Sequence, residues 1–592
     1  MVLLISAVVL AAGGGELLTN AGFMEGLEGW SSGNLSPVDR ADARAEGGRR
    51  VGRITVPPDG EVGFPLLFQR IEVTPGTLLE ARLEAMGRGV VDGYGAYAAV
   101  EFYDSEGKRI CFSMSEAARE DGEWTPLAIR TVAPPEAVAA RLCLVLNGRG
   151  EAFFDDASLV RAGDMSMAPL EGPVTLAVTG EVACDAFKGF GAEDDGWFYN
   201  DENAARGVGE EDIRLREARI RWMDPDWVRM FFWHKDWCPS DAWETFTFDS
   251  PNMQSHYRTL DLYQEIGACV NVVGVEWGMP HPYADLPKAA KAIGGLFEHL
   301  IREKGYTCVQ EWTLTNEPNG GWPQRGDTFA DYVQLHTLVK AEFARRGLEV
   351  RILGSDDTNG LAWFTQCVES DAYFRTADLF ASHRYFPYAD RRLAPFFFED
   401  RLNLLSTRAP GKPFIVAEFG FQDGRSGTLD NPLMEEYRYA VWTAAFVIEG
   451  LNRGVAGFSI WCLHEVYYPG GGFMNYGLWN YKNRDWQVRP VYHAFANFTR
   501  LTEAGDRVIK CTSTSPGHVL AAQVGDTLFW VNRSDEAAHV QLAGCAEDPR
   551  PGGKELRVMT EATLSGDREC GTVLELEADR FVAPPQSFGY VR

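Results

Sequence analysis

The chain has 592 residues, of which 45% are hydrophobic and 12% aromatic, and its formal net charge is −28. That length exceeds one hydrophobic core, so roughly two to four domains are expected, with a globular rather than disordered composition. The charge argues against nucleic acid and anionic membranes as partners, whose phosphates would repel it, and suits a neutral substrate.

The chain begins with Val2-Leu3-Leu4-Ile5-Ser6-Ala7-Val8-Val9-Leu10-Ala11-Ala12-Gly13, a short apolar run ending in small residues. It reads as the apolar region and cleavage zone of a secretory signal, although no basic segment precedes it. Residues 1–15 are therefore assigned to a signal-peptide remnant, and a secreted or periplasmic location is expected. No stretch reaches about twenty apolar residues, so no membrane span is expected.

Residues 16–163 read as all-β. Runs such as Tyr97–Tyr103 and Arg141–Leu146 are separated by Gly, Pro and Asp turns. The region opens with Asn20-Ala21-Gly22-Phe23-Met24-Glu25 and closes with Phe154-Asp155-Asp156-Ala157-Ser158-Leu159. These two ends resemble those of the jelly-roll carbohydrate-binding modules attached to many secreted glycosidases. The resemblance implies a β-sandwich that binds sugar, with a structural calcium shared by Glu25 and Asp156, whose hard oxygen ligands suit that ion. The alternative is a sandwich that binds neither sugar nor ion.

A linker and one strand, Val174–Val178, follow. Eight strand-like runs then alternate with helical stretches: Lys188–Ala192, Trp227–Phe232, Ala268–Val275, Val309–Thr315, Val350–Ser355, Leu379–His383, Phe414–Glu418 and Gly457–Trp461. That alternation predicts a parallel (β/α)8 TIM barrel over residues 175–502. Asp327 is placed to cap a helix over Tyr332–Arg346, which Gly347 ends. Asn431-Pro432 opens another helix that runs to Gly450. Residues 503–592 turn β-rich again, as in Val519–Val524 and Thr527–Val531, and read as a C-terminal β-sandwich. The eleven cysteines lack a C-x-x-C pair or regular spacing, which disfavours zinc ribbons and a disulfide framework and makes most of them small buried apolar residues.

The chemistry lies at two strand ends. Thr313-Leu314-Thr315-Asn316-Glu317-Pro318-Asn319 and Phe414-Ile415-Val416-Ala417-Glu418-Phe419-Gly420 each lead apolar residues into a glutamate and then into turn formers. A parallel barrel presents side chains in this way at the C-terminal mouth of its strands. A proton donor and a nucleophile flanking one sugar bond are what a retaining glycosidase needs. Asn316-Glu317-Pro318 followed by Glu418 resembles clan A of the glycoside hydrolases, retaining (β/α)8 enzymes that include families 5, 30 and 39.

The resemblance implies roles residue by residue. Glu317 is the general acid/base, which requires a pKa above that of a free glutamate, and Glu418 is the nucleophile. Asn316 corresponds to the asparagine that binds the sugar 2-hydroxyl, and Arg229 to the strand-two arginine that keeps the nucleophile ionised. Tyr385 corresponds to the strand-six hydroxyl donor, with His383 beside it, and Trp461 to the sugar platform. Glu276 and Trp277, at the end of strand three, are substrate-binding candidates; family 5 usually has a histidine there. Glu193-Asp194-Asp195 and Glu465 are further carboxylates able to bind sugar hydroxyls. Trp233, Trp322 and Trp479 lie near predicted strand ends. Gly189-Phe190-Gly191 resembles the family 30 entry to the first strand.

The sequence thus predicts a retaining β-glycosidase acting on a neutral polysaccharide or oligosaccharide, β-glucan first, including β-1,3-glucan, then mannan or xylan. No cofactor is required for catalysis, because two carboxylates supply the chemistry. The alternatives are a transglycosidase on the same scaffold and a non-catalytic carbohydrate-binding protein.

Overall fold

The computed structural model describes residues 15–118, 121–275, 281–320, 328–424, 426, 429–544, 555–576 and 579–592. The signal-like segment, Glu276, Trp277, Trp322 and Asp327 lie outside the described residues. The chain forms two compact units. One comprises residues 1–168 with 386–393 and 422–425, and the other comprises the remainder.

The first unit is an eight-stranded sheet built on two long antiparallel strands, Thr77–Tyr103 and Ala139–Asp164, paired from Thr77 with Asp164 to Tyr103 with Ala139. Alternate residues of these strands, among them Val100, Phe102, Leu142 and Leu144, point into one apolar core with Phe23 and Leu67. The Asn20 side chain orders the opening loop. Its Nδ2 donates to the carbonyls of Gly26 and Glu28, and its Oδ1 accepts from the Glu25 N–H. Asp390, also of this unit, is fully buried, and its carboxylate is satisfied by the Ser113 and Thr131 hydroxyls and the Val132 N–H.

In the second unit eight parallel strands close into a barrel: Phe190–Glu193, Trp227–Trp233, Cys269–Val275, Val309–Thr313, Arg351–Thr358, Leu379–Pro387, Phe414–Gln422 and Phe458–Ile460. Trp227–Trp233 is buried at every residue. Strands covered on both faces read as continuous apolar runs, and a lone arginine within one must find its partners inside the barrel. The helix Phe329–Arg346 starts with a capping box, in which the Thr328 side chain accepts from the Asp331 N–H and Asp331 reaches back to the Thr328 N–H. Gly347, at φ 63°, ends it in the left-handed conformation that glycine adopts without a Cβ clash. Pro432 opens a short 3-10 turn, Pro432–Glu435, and the α-helix that follows is Tyr437–Leu451.

A nine-stranded sheet completes the unit. The strand Val174–Cys184, which contains the run Val174–Val178 that the sequence places just before the eight barrel strands, belongs to this sheet. It pairs antiparallel with Val508–Ser513 and parallel with Ala538–Ala543. Its burial is partial and alternates at the start, as for a strand with one covered face, unlike the continuously buried barrel strands. The ten described cysteines are all free thiols, seven of them buried. Among the described residues no helix is long and apolar enough to cross a membrane.

The first barrel strand depends on small residues. A Cβ on Gly191 would lie 2.4 Å from the Trp227 carbonyl oxygen and 2.7 Å from the Trp227 ring. Gly191→Ala is therefore expected to lower stability by about 1–3 kcal/mol, read as a lower urea midpoint. An unchanged midpoint would show that the strands are not packed this closely.

Candidate active site

Arg229 sits in the middle of the second strand, fully buried, and four acceptors surround its guanidinium. Nη1 donates to Glu418 at 2.6 Å and to Glu193 at 2.9 Å. Nη2 donates to Asp356 at 2.7 Å and to the Asn316 side-chain oxygen at 3.0 Å. These partners come from strand one, strand five, strand seven and the segment after strand four, so one cation ties together the mouth of the barrel.

His383 repeats the arrangement from strand six. Nε2 lies 3.0 Å from Asp356, and Nδ1 lies 3.1 Å from Glu317 and 3.6 Å from Glu418. Burial alone would push its pKa down. The Glu418 and Asp356 carboxylates outweigh that and raise it to about 10, so the ring is an imidazolium at neutral pH. Asp356 is likewise pushed up by burial and pulled lower overall by Arg229 and His383, which holds it as the shared anion. Burial raises Glu418 above the ordinary glutamate range, against the opposing pull of His383 and Arg229. The Tyr385 hydroxyl donates to the second Glu418 oxygen at 3.0 Å, and burial beside Glu418 keeps that phenol neutral.

One oxygen of Glu317, one of Glu418 and a ring nitrogen of His383 all lie within 4.8 Å of one another. Such a trio is also a geometry for a metal ion. Here an imidazolium with both nitrogens directed at carboxylates fills the cationic role and offers no lone pair. Glu317 is the more open of the two glutamates, its side chain 14% exposed against 5% for Glu418. Its φ of 48° turns it out of the strand direction, and Ser355 and Asp356 share this left-handed conformation at 58° and 49°. The register of strand five against strand six slips between Ser355 and Asp357. That bulge sends Asp356 to Arg229 and His383, and Asp357 to the Ser382 hydroxyl and Arg401.

The structure brings together Glu317, Glu418, Asn316, Arg229, His383 and Tyr385. Trp461 follows strand eight, largely buried, its ring 5.2 Å from that of Phe231. Trp233 packs on Trp197, and Trp479 is buried against His464 and Tyr492. Glu465 lies outside the cluster, paired with Arg489 at 2.5 Å and accepting the Tyr481 N–H, so its carboxylate is already used in structure. The Asp194 carboxylate pairs with Arg216 and accepts from Tyr263. Glu25 and Asp156 are exposed, and no group of three or more carboxylate, imidazole or thiol ligands forms around them among the described residues. Reading the sequence alone does not single out Asp356. Its only signal is the Asp356-Asp357 pair shortly after the apolar run Ile352-Leu353 of strand five.

No family model matches the sequence, and no curated protein matches it. Solved structures do. The catalytic domain of GH30 xylanase C from Talaromyces cellulolyticus matches with TM-score 0.53 at 12% identity, over 70% of this chain and 99% of that one. A GH39 β-xylosidase from Caulobacter crescentus matches with TM-score 0.50 at 16% identity, over 71% and 99%. A conserved exported protein from Bacteroides fragilis matches with TM-score 0.52 at 12% identity, over 70% and 99%. The fold is shared with glycoside hydrolases of families 30 and 39. At these identities the likeness is one of fold, and the chemistry of the site rests on its own geometry.

The charge state of His383 is directly measurable. Nitrogen-15 NMR at pH 8 is expected to show both ring nitrogens protonated, with titration to the neutral ring only near pH 10. A neutral tautomer at pH 8 would contradict the paired-anion environment described above.

Proposed function

We propose that the chain is a retaining glycoside hydrolase with Glu418 as nucleophile and Glu317 as acid/base. The observation that carries this reading is that one carboxylate oxygen of Glu317 and one of Glu418 lie within 4.8 Å of each other on one hydrogen-bonded frame. Retaining enzymes hold their carboxyl groups about 5–5.5 Å apart, whereas inverting enzymes leave about 6.5–9.5 Å for a water.

Glu418 is held by Arg229 on one oxygen and by the Tyr385 hydroxyl on the other, which fixes the direction from which it meets the anomeric carbon. Glu317, the more open group, protonates the departing oxygen. Once Glu418 is esterified its charge is gone, and the His383 imidazolium is left to Asp356 and Glu317. Glu317, having given its proton to the departing oxygen, is a carboxylate and takes a proton from the attacking water. The Asn316 oxygen is pinned by Arg229, which leaves its NH2 for a sugar 2-hydroxyl, a contact that strengthens in the transition state. Trp461 is the platform candidate, and no cofactor enters these steps.

The substrate is a neutral polysaccharide or oligosaccharide. Two of the fold neighbours are named as a xylanase and a β-xylosidase, which supports xylose-containing glycans; neither is named for β-glucan, the first expectation from sequence. The exported fold neighbour and the apolar start of the chain support secretion. Sugar binding by a jelly-roll N-terminal unit, with calcium at Glu25 and Asp156, rests on the sequence resemblance alone.

Azide separates the two glutamates. Glu418→Ala is expected to lose turnover by about four orders of magnitude and to regain it with azide, giving a glycosyl azide of inverted configuration. Glu317→Ala is expected to spare aryl glycosides with good leaving groups and to give the azide of retained configuration. Exchanged stereochemistry would reverse the roles. Near-normal hydrolysis by both variants would place the chemistry elsewhere.

A further inference from the structure

Glu193 ends the first barrel strand, in register with Arg229, and is fully buried. Its Oε2 accepts from the same guanidinium nitrogen that donates to Glu418. Its Oε1 is buried with no hydrogen-bond donor. Two residues on, Asp195 is almost as deeply buried. One oxygen accepts the Tyr468 hydroxyl at 2.7 Å, and the other has no donor. Neither bare oxygen is open to a substrate, so the sugar-binding role expected of these carboxylates is not available to them. A buried carboxylate with an unsatisfied oxygen is costly, whereas a protonated carboxyl removes the charge.

Charge balance points the same way. Arg229 and the His383 imidazolium are already paired with Asp356, Glu418 and Glu317. Asp194 is matched by Arg216. Among the described residues no further cation pairs with Glu193. Resting on the retaining reading above, we propose that Glu193 is a positioning residue whose neutral carboxyl aligns Arg229 on Glu418 without drawing off its charge.

The groups that face Glu193 are Arg229 on strand two, Asp356 on strand five, Glu418 on strand seven, Asp195 just past strand one, and Cys462 and Tyr468 beyond strand eight. Burial is the largest influence and raises Glu193 well above the carboxylate range. Arg229 opposes it, while Asp195, Glu418 and Asp356 add to it. Burial likewise raises Asp195 to about 7, against the Tyr468 hydrogen bond. Cys462 and Tyr468 are themselves raised by burial and stay uncharged.

The charge of Glu193 has a definite sign in the pH profile. An anionic Glu193 would share a guanidinium nitrogen with Glu418 and disfavour its ionisation. Removing that anion would lower the Glu418 pKa and move the acid limb of kcat/KM to lower pH. A neutral Glu193 predicts no such movement, because Gln presents the same carbonyl oxygen to Arg229 with no change in charge.

The test uses the full chain as wild type, Glu193→Gln and Glu193→Ala, with 4-nitrophenyl glycosides of xylose, glucose and mannose, beside infrared difference spectra of wild type minus Glu193→Gln at pH 6. Expected are a protonated-carboxyl C=O band unique to wild type, an unmoved acid limb, and a kcat for Glu193→Gln at least tenfold or so above that of Glu193→Ala. The proposal is overturned by absence of that band, by an acid limb lowered by about one unit, or by a Glu193→Gln loss as deep as that of Glu418→Ala. Should Glu193→Ala fail to fold, the band and the acid limb decide. If the wild type hydrolyses no glycoside, the retaining reading fails, and the infrared band alone still decides the protonation of Glu193.

Discussion

The mouth of the barrel is organised by a guanidinium that has no contact with water. Arg229 is placed among Trp227, Val228, Met230 and Phe231 on a strand buried throughout, and a bare charge there would be prohibitive. It persists because Glu418, Glu193, Asp356 and Asn316 are brought to it from four other parts of the barrel. Removing one member of a buried pair leaves the other uncompensated, at a cost of about 3–5 kcal/mol, so the cluster is fixed by its own electrostatics as much as by the strands. Glu418 inherits its orientation from this constraint, and Asn316 inherits its amide rotamer.

His383 supplies what Arg229 cannot. Its imidazolium lies between the two glutamates and Asp356, so it responds to the charge of each. A retaining mechanism needs one glutamate to change from acid to base when the other is esterified. A cation shared by both couples those events without moving a side chain. The left-handed backbone at Glu317, Ser355 and Asp356 shows where the fold bends to aim these groups.

Much of this is legible in the sequence because a parallel barrel has simple rules. Apolar runs that end in a polar residue and a turn mark the strand mouths, and Glu317, Glu418 and His383 can be read from them, whereas Tyr385 comes from the family resemblance. Arg229 is legible as the charge that interrupts an apolar strand. Asp356 is not, because a bulge sets its direction, and period-two alternation does not foresee an inserted residue. Glu193 can be read as a strand-end carboxylate, but its lack of access and its place on Arg229 depend on three-dimensional packing. Val174–Val178 reads as a strand from sequence, while the partners of the full strand, Val508–Ser513, lie more than three hundred residues away and leave no local trace. The substrate is equally hidden, since it depends on loops outside the barrel strands.

The proposed chemistry stands or falls on Glu418 as a covalent nucleophile. The direct measurement is peptide mass spectrometry of the full chain after incubation with 2-deoxy-2-fluoro glycosides of xylose, glucose and mannose bearing good leaving groups. One fluoroglycosyl adduct should accumulate on the peptide containing Ala417-Glu418-Phe419, and none should form in Glu418→Ala. An adduct on another carboxylate, or hydrolysis of these sugars' activated glycosides with inverted configuration, would contradict it.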